Sequence, residues 1–83
     1  MNVNLARPKV VERKLGRERY PYGQQEENLI EIDPRQTERE YLGTLLHEFL
    51  HYTFPDLGET QTLKIEKNLQ EILWKAKYRR IRT

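Results

Sequence analysis

Eighty-three residues with 36% hydrophobic and 34% charged side chains describe one small, charge-rich globular domain, near the lower size limit for folding without help. The absence of cysteine excludes disulfides, thiolate nucleophiles and Cys-ligated zinc together, so any metal must be held by His and carboxylate. A net charge of +2 and pI near 9.0 permit contact with nucleic acid without arguing for it, because the excess is small and spread over both ends.

The first 28 residues are the least patterned. Val3, Leu5, Val10, Val11 and Leu15 are mixed with basic residues, and Pro8 removes a ladder donor, so an edge strand or two short extended pieces are expected over 2–15. Arg7, Lys9, Glu12, Arg13, Lys14, Arg17, Glu18 and Arg19 leave no apolar run of signal length, and no stretch approaches the 18 or so apolar residues of a membrane span. The expected location is cytoplasmic, with no membrane contact. Residues 16–28 read as loop, from Gly16, Pro21, Gly23 and the polar run Gln24 to Asn28. Tyr20 and Tyr22 fall there as packing or rim aromatics.

Leu29-Ile30-Glu31-Ile32 is a short β segment ended at Asp33-Pro34, since Pro34 disfavours helix at Asp33. Thr37 with Glu40 makes a T-x-x-E capping box and sets a helix start near Glu38. That helix runs to Tyr52 or Thr53, because Pro55 cannot continue it. Leu42, Leu45, Leu46, Phe49 and Leu50 recur at helical spacing and predict a buried stripe. Asp56 to Glu59 supplies the turn, with Asp56 and Glu59 spaced as a second capping box. A second helix is predicted over 59–77, with Leu63, Ile65, Leu69, Ile72, Leu73 and Ala76 as its apolar positions. Lys75, Lys77, Arg79, Arg80 and Arg82 close the chain, where cations suit the helix dipole; a nucleic acid or acidic partner is the rival use of that segment.

The expected fold is therefore α+β, a two- to three-stranded sheet packed on two antiparallel helices at about 38–53 and 59–77. It occupies one domain, 1–83, with an N-terminal strand and loop region (1–28), the strand and helices (29–78) and a basic tail (79–83).

The chemistry lies in His47-Glu48-Phe49-Leu50-His51, an H-E-x-x-H pentapeptide inside the first helix. Histidines at i and i+4 lie one above the other on a helical face and can reach one ion at about 2.0–2.1 Å. Glu48, about 100° of turn from His47, borders that ion without ligating it, where a general base for water activation must stand. A catalytic zinc takes three protein ligands and keeps one position open. With no third histidine, the third must be a carboxylate from the returning helix: Glu59 or Glu66, two turns apart on one face, or less favourably Asp56 in the turn. Spacing leaves Glu59 and Glu66 close to even.

Residues 29–78 resemble a family of short zincin-like (HExxH) metallopeptidases common in phage and bacterial sequences. The resemblance rests on Ile32-Asp33-Pro34-Arg35, on Leu45-Leu46-His47-Glu48-Phe49-Leu50-His51, on Pro55-Asp56-Leu57 with Glu59, and on Ile72-Leu73-Trp74-Lys75. It implies a minimal zincin-like fold, and the family's acid at the start of the second helix falls on Glu59, while the position of Glu66 is there usually small or apolar. The chain departs from the family at Thr60 and Thr62, where a further acid and an aliphatic residue are common. The implied activity is zinc-dependent peptide hydrolysis, with Zn²⁺ on His47, His51 and Glu59, Glu48 as general base, and a peptide or protein as substrate. An extended substrate would add to the sheet edge near Leu29–Ile32. Neither Tyr41 nor Tyr52 is aimed at the site by anything in the sequence. The rival from another class is a non-catalytic, zinc-stabilised module that binds nucleic acid or a protein partner. A third reading is a peptidase whose cleft another chain completes.

Overall fold

The computed structural model describes residues 2–14 and 28–81, together with the backbone of 23–26. Its elements are β1 (Lys9–Glu12), β2 (Gly23–Glu26), β3 (Leu29–Ile32), α1 (Glu38–Thr53) and α2 (Glu59–Lys75). The fold is small α+β, as the pattern predicts.

The sheet has strand order β1-β3-β2. Parallel pairing sets Lys9 beside Leu29 and Glu12 beside Ile32, and antiparallel pairing sets Gly23 beside Ile32 and Glu26 beside Leu29. Two expectations change here. Gly23–Glu26 is a strand rather than loop: its Gly-Gln-Gln-Glu sequence carries no apolar alternation, so its place comes from the ladder with β3. Leu29–Ile32 is the central strand, so its two edges are taken by neighbours and cannot receive an added chain. Asn28 sits in the left-handed region at φ 55, one of the few non-glycine residues that enter it readily. Its carbonyl accepts from the Lys9 N–H (2.8 Å), and its Oδ1 accepts from the Tyr52 hydroxyl (3.0 Å). One turn residue thus ties β1, the sheet and the end of α1.

The core is small: Ile30 and Ile32 from β3 pack with Tyr41 and Tyr52 from α1, and half-buried Leu45 joins them. Their burial against water is the main driving force, at roughly 1.5–3 kcal/mol per large apolar side chain. Asp33, almost fully buried, organises the step from strand to helix. Its Oδ1 accepts from the Arg35 backbone N–H and from Arg35 Nε, each at 2.9 Å, and Oδ2 accepts from the guanidinium at 2.6 Å. The capping box then starts α1 as predicted: Glu40 N–H donates to Thr37 Oγ1 (3.2 Å), and Thr37 N–H donates to Glu40 Oε1 (3.0 Å).

The apolar stripe of α1 is only partly buried. Leu50 is enclosed and Leu42, Leu45 and Leu46 are half-buried, but Phe49 is 42% exposed. The two tyrosines, whose hydroxyls reach polar partners, take the core positions instead.

The sheet lies against one side of α1 and α2 against another; among the described residues α2 makes no contact with the sheet. Glu59 meets His51, Glu66 meets His47, and Gln70 donates to the Arg39 carbonyl at 2.8 Å, so the helices run antiparallel. Gly43 leaves space for the ends of two α2 side chains. A Cβ there would lie 2.7 Å from Gln70 Nε2 and 3.1 Å from Glu66 Oε2. Because α2 packs on one element, Leu63, Ile65, Leu69 and Ile72 remain exposed, and Thr62 is its one buried residue.

The second capping box does not form. Gly58 is the N-cap of α2 with no side-chain cap bond, and Asp56 instead accepts from the Asn2 N–H (3.3 Å). The helix also stops at Lys75 rather than residue 77. Lys77 turns left-handed (φ 67), its N–H reaches the Trp74 carbonyl, and the Tyr78 N–H reaches that of Leu73, each at 3.0 Å. This is a Schellman closure with lysine where glycine is usual.

Candidate metal centre

Helical phase brings the histidines together first. His47 and His51 share one face of α1, with their Nε2 atoms 3.1 Å apart and rings close to perpendicular. Two nitrogens at about 2.0–2.1 Å from a tetrahedral ion stand about 3.3 Å apart, so this separation suits a shared ion. Glu59 completes the group. As the first residue of α2 it emerges beside the last turn of α1, with Oε1 3.2 Å from His47 Nε2 and Oε2 3.2 Å from His51 Nε2. The donor atoms of His47, His51 and Glu59 all lie within 4.8 Å of one another. Two imidazoles and one carboxylate form a donor set used by catalytic zinc, with one position left for water or substrate. The carboxylate is 62% exposed, so the group opens to solvent.

Glu66 takes a different place. Its Oε1 lies 2.8 Å from Nδ1 of His47, the nitrogen turned away from the cluster. The two acids that spacing could not separate therefore meet opposite nitrogens of one ring. Asp56, the weaker candidate, is engaged with Asn2.

Glu48 lies half-buried beside this group. Burial pushes its carboxyl above the ordinary carboxylate value, His47 and His51 pull it down, and Glu59 and Glu66 raise it further. A base whose proton affinity is raised by partial burial is better matched to proton transfer near neutrality.

The tyrosines of the core are engaged elsewhere. The Tyr41 hydroxyl donates to Glu12 Oε2 (2.7 Å) and that of Tyr52 donates to Asn28, so neither points to the histidines. Tyr20 and Tyr22 lie outside the described residues.

The basic C-terminal segment is partly spent on the fold. Arg79 stacks on Trp74 with its guanidinium carbon 3.4 Å from the ring centre. Arg80 bonds to Glu12 (3.0 Å) and Glu38 (2.9 Å) while lying over Tyr41. Arg82 lies outside the described residues. A cleft of about 390 Å³ opens beneath this segment, between Leu42, Leu45, Trp74 and Tyr78. It includes none of His47, Glu48, His51 and Glu59, so it is not the pocket of the candidate centre.

Among the described residues, no helix is long and apolar enough to cross a membrane. Compared with family models, curated proteins and solved structures, the chain gives no match.

Proposed function

We propose that the chain is a zinc-dependent metallopeptidase of the small zincin-like (HExxH) kind. The observation that carries this reading is the convergence of His47 Nε2, His51 Nε2 and the Glu59 carboxylate within hydrogen-bonding distances of one another, with Glu48 beside them. In this reading His47, His51 and Glu59 hold the ion. A bound zinc supplies Lewis-acid polarisation of a carbonyl and lowers the pKa of its water towards about 7.

The remaining work falls to the chain. Glu48 accepts the proton of the attacking water and returns it to the leaving amine, a role that requires a carboxylate bordering the ion rather than bound to it. The exposure of Glu59 leaves an approach for a substrate as large as a polypeptide. An extended peptide pairs with β2 rather than with β3. β2 packs on α1 and, among the described residues, has no partner on its outer side.

The non-catalytic zinc module differs in one residue, since structural zinc has no use for Glu48. The test is hydrolysis of a fluorogenic peptide library by zinc-loaded protein and by Glu48→Gln. Cleavage by the wild type that falls roughly 10²–10⁴-fold in a variant of unchanged zinc content supports the enzyme. Equal rates in the two proteins would refute it.

A further inference from the structure

We propose that Glu66 is the positioning residue of the candidate centre, holding His47 with its proton on Nδ1 and its Nε2 lone pair turned to the site. The inference deepens the metallopeptidase reading and rests on it for the identity of the ion. It concerns a residue whose spacing alone would equally have made it a ligand.

Three observations carry it. Glu66 Oε1 is 2.8 Å from Nδ1 of His47, the shortest contact either histidine makes with an acid here. A carboxylate oxygen accepts, so the hydrogen of this bond sits on Nδ1; Glu59 faces Nε2 as well, at 3.2 Å, but the Glu66 bond is the shorter, and a ring with its one proton on Nδ1 keeps the Nε2 lone pair. The opposite tautomer would place a hydrogen on the atom that must ligate. Second, Glu66 is 21% exposed where Glu59 is 62% exposed, so the bond to Nδ1 is the better shielded from water. Third, Gly43 of α1 leaves open the space that the end of the Glu66 side chain occupies. A Cβ on Gly43 would press on Glu66 Oε2 at 3.1 Å and on Gln70 at 2.7 Å. A glycine inside a helix costs roughly 0.5–1 kcal/mol against alanine, and here it leaves space for the carboxylate end of Glu66 beside α1.

One helix face therefore supplies two carboxylates to one imidazole, Glu59 at Nε2 and Glu66 at Nδ1. Carboxylate partners of this kind fix ring orientation and raise ligand basicity, and their loss typically weakens metal binding 10–100-fold.

The test has two readouts, neither of them activity. The ¹⁵N shifts of His47 in zinc-free protein report its tautomer, and competition against a chromogenic chelator reports zinc affinity. Wild type should show Nδ1–H. Glu66→Ala should shift towards a tautomer mixture and bind zinc roughly 10–100-fold more weakly. Glu66→Gln, whose amide oxygen still accepts, should recover the tautomer and part of the affinity. Gly43→Ala, which leaves every donor in place, should move both readouts in the direction of Glu66→Ala.

Wild-type shifts and affinity in Glu66→Ala would reduce Glu66 to packing, and loss of zinc as complete as in His47→Ala would make it a ligand; either overturns the inference. If the wild type binds no zinc, the metallopeptidase reading falls. The tautomer comparison in the zinc-free protein still decides what Glu66 does to His47.

Discussion

Glu59, the first residue of α2, sets its two carboxylate oxygens 3.2 Å from Nε2 of His47 and 3.2 Å from Nε2 of His51. A five-residue connection after Thr53, ending in the N-cap Gly58, fixes that reach, because the side chain leaves the first turn of α2 beside the last turn of α1. Replacing Glu59 by Gln should weaken zinc binding by on the order of 100-fold or more, beyond the typical loss of an outer partner. Calorimetric titration with zinc checks this. Glu66→Gln should lose less, and reversed ranks would exchange the roles of the two acids.

Zinc should also hold the fold together. α2 packs only on α1 among the described residues, and Leu63, Ile65, Leu69 and Ile72 stay exposed, so the helix pair has a thin apolar seam. Zinc held between them at 100 times its Kd contributes about 2.7 kcal/mol. For a domain of this size, that is roughly 10–20 °C in Tm. Thermal melts with zinc and with chelator measure the difference, and His51→Ala should abolish it.

Lys77 offers an independent stability test. Its φ of 67 is a conformation in which a side chain is strained, and the Schellman closure around it uses backbone groups alone. Lys77→Gly should stabilise by about 0.5–1 kcal/mol, and Lys77→Ala should not. The midpoint of urea unfolding reads this out.

Tyr41 should give the protein a distinctive alkaline limb. Burial first, and then the bond to the Glu12 carboxylate, push its hydroxyl above the usual value, while Arg80 opposes them. The folded phenol thus ionises later than the unfolded one. Its stabilisation is complete below about pH 10, the unfolded value, and is lost as pH rises through the higher folded value. Tyr41→Phe should cost about 1 kcal/mol at neutral pH, the worth of a hydrogen bond to a partly exposed charge. The gap between the two proteins should narrow above pH 10 in urea melts taken across that range.

Much of this arrangement is legible in the sequence because local rules govern it. Thr37 and Glu40 start α1 through their own backbone bonds, and the period of the helix alone puts His47 over His51. The parts that escape are those decided by distant partners. Gly23–Glu26 has no strand pattern and is a strand because β3 pairs with it. Phe49 matches the apolar period yet lies exposed, since Tyr41 and Tyr52 fill the space against β3. The left-handed turn at Lys77 lacks the glycine that would mark it, which carries the expected helix end two residues too far. Glu59 and Glu66 share a face of α2. Only the level at which α2 docks on α1 separates a carboxylate at Nε2 from one at Nδ1.

The most direct test of the metal centre is the zinc content per chain of purified protein, by elemental mass spectrometry, beside His47→Ala. About one zinc per wild-type chain, and little in the variant, is the predicted result. A folded wild-type protein that holds no zinc after supplementation, or a variant that holds as much, would rule out zinc on His47, His51 and Glu59.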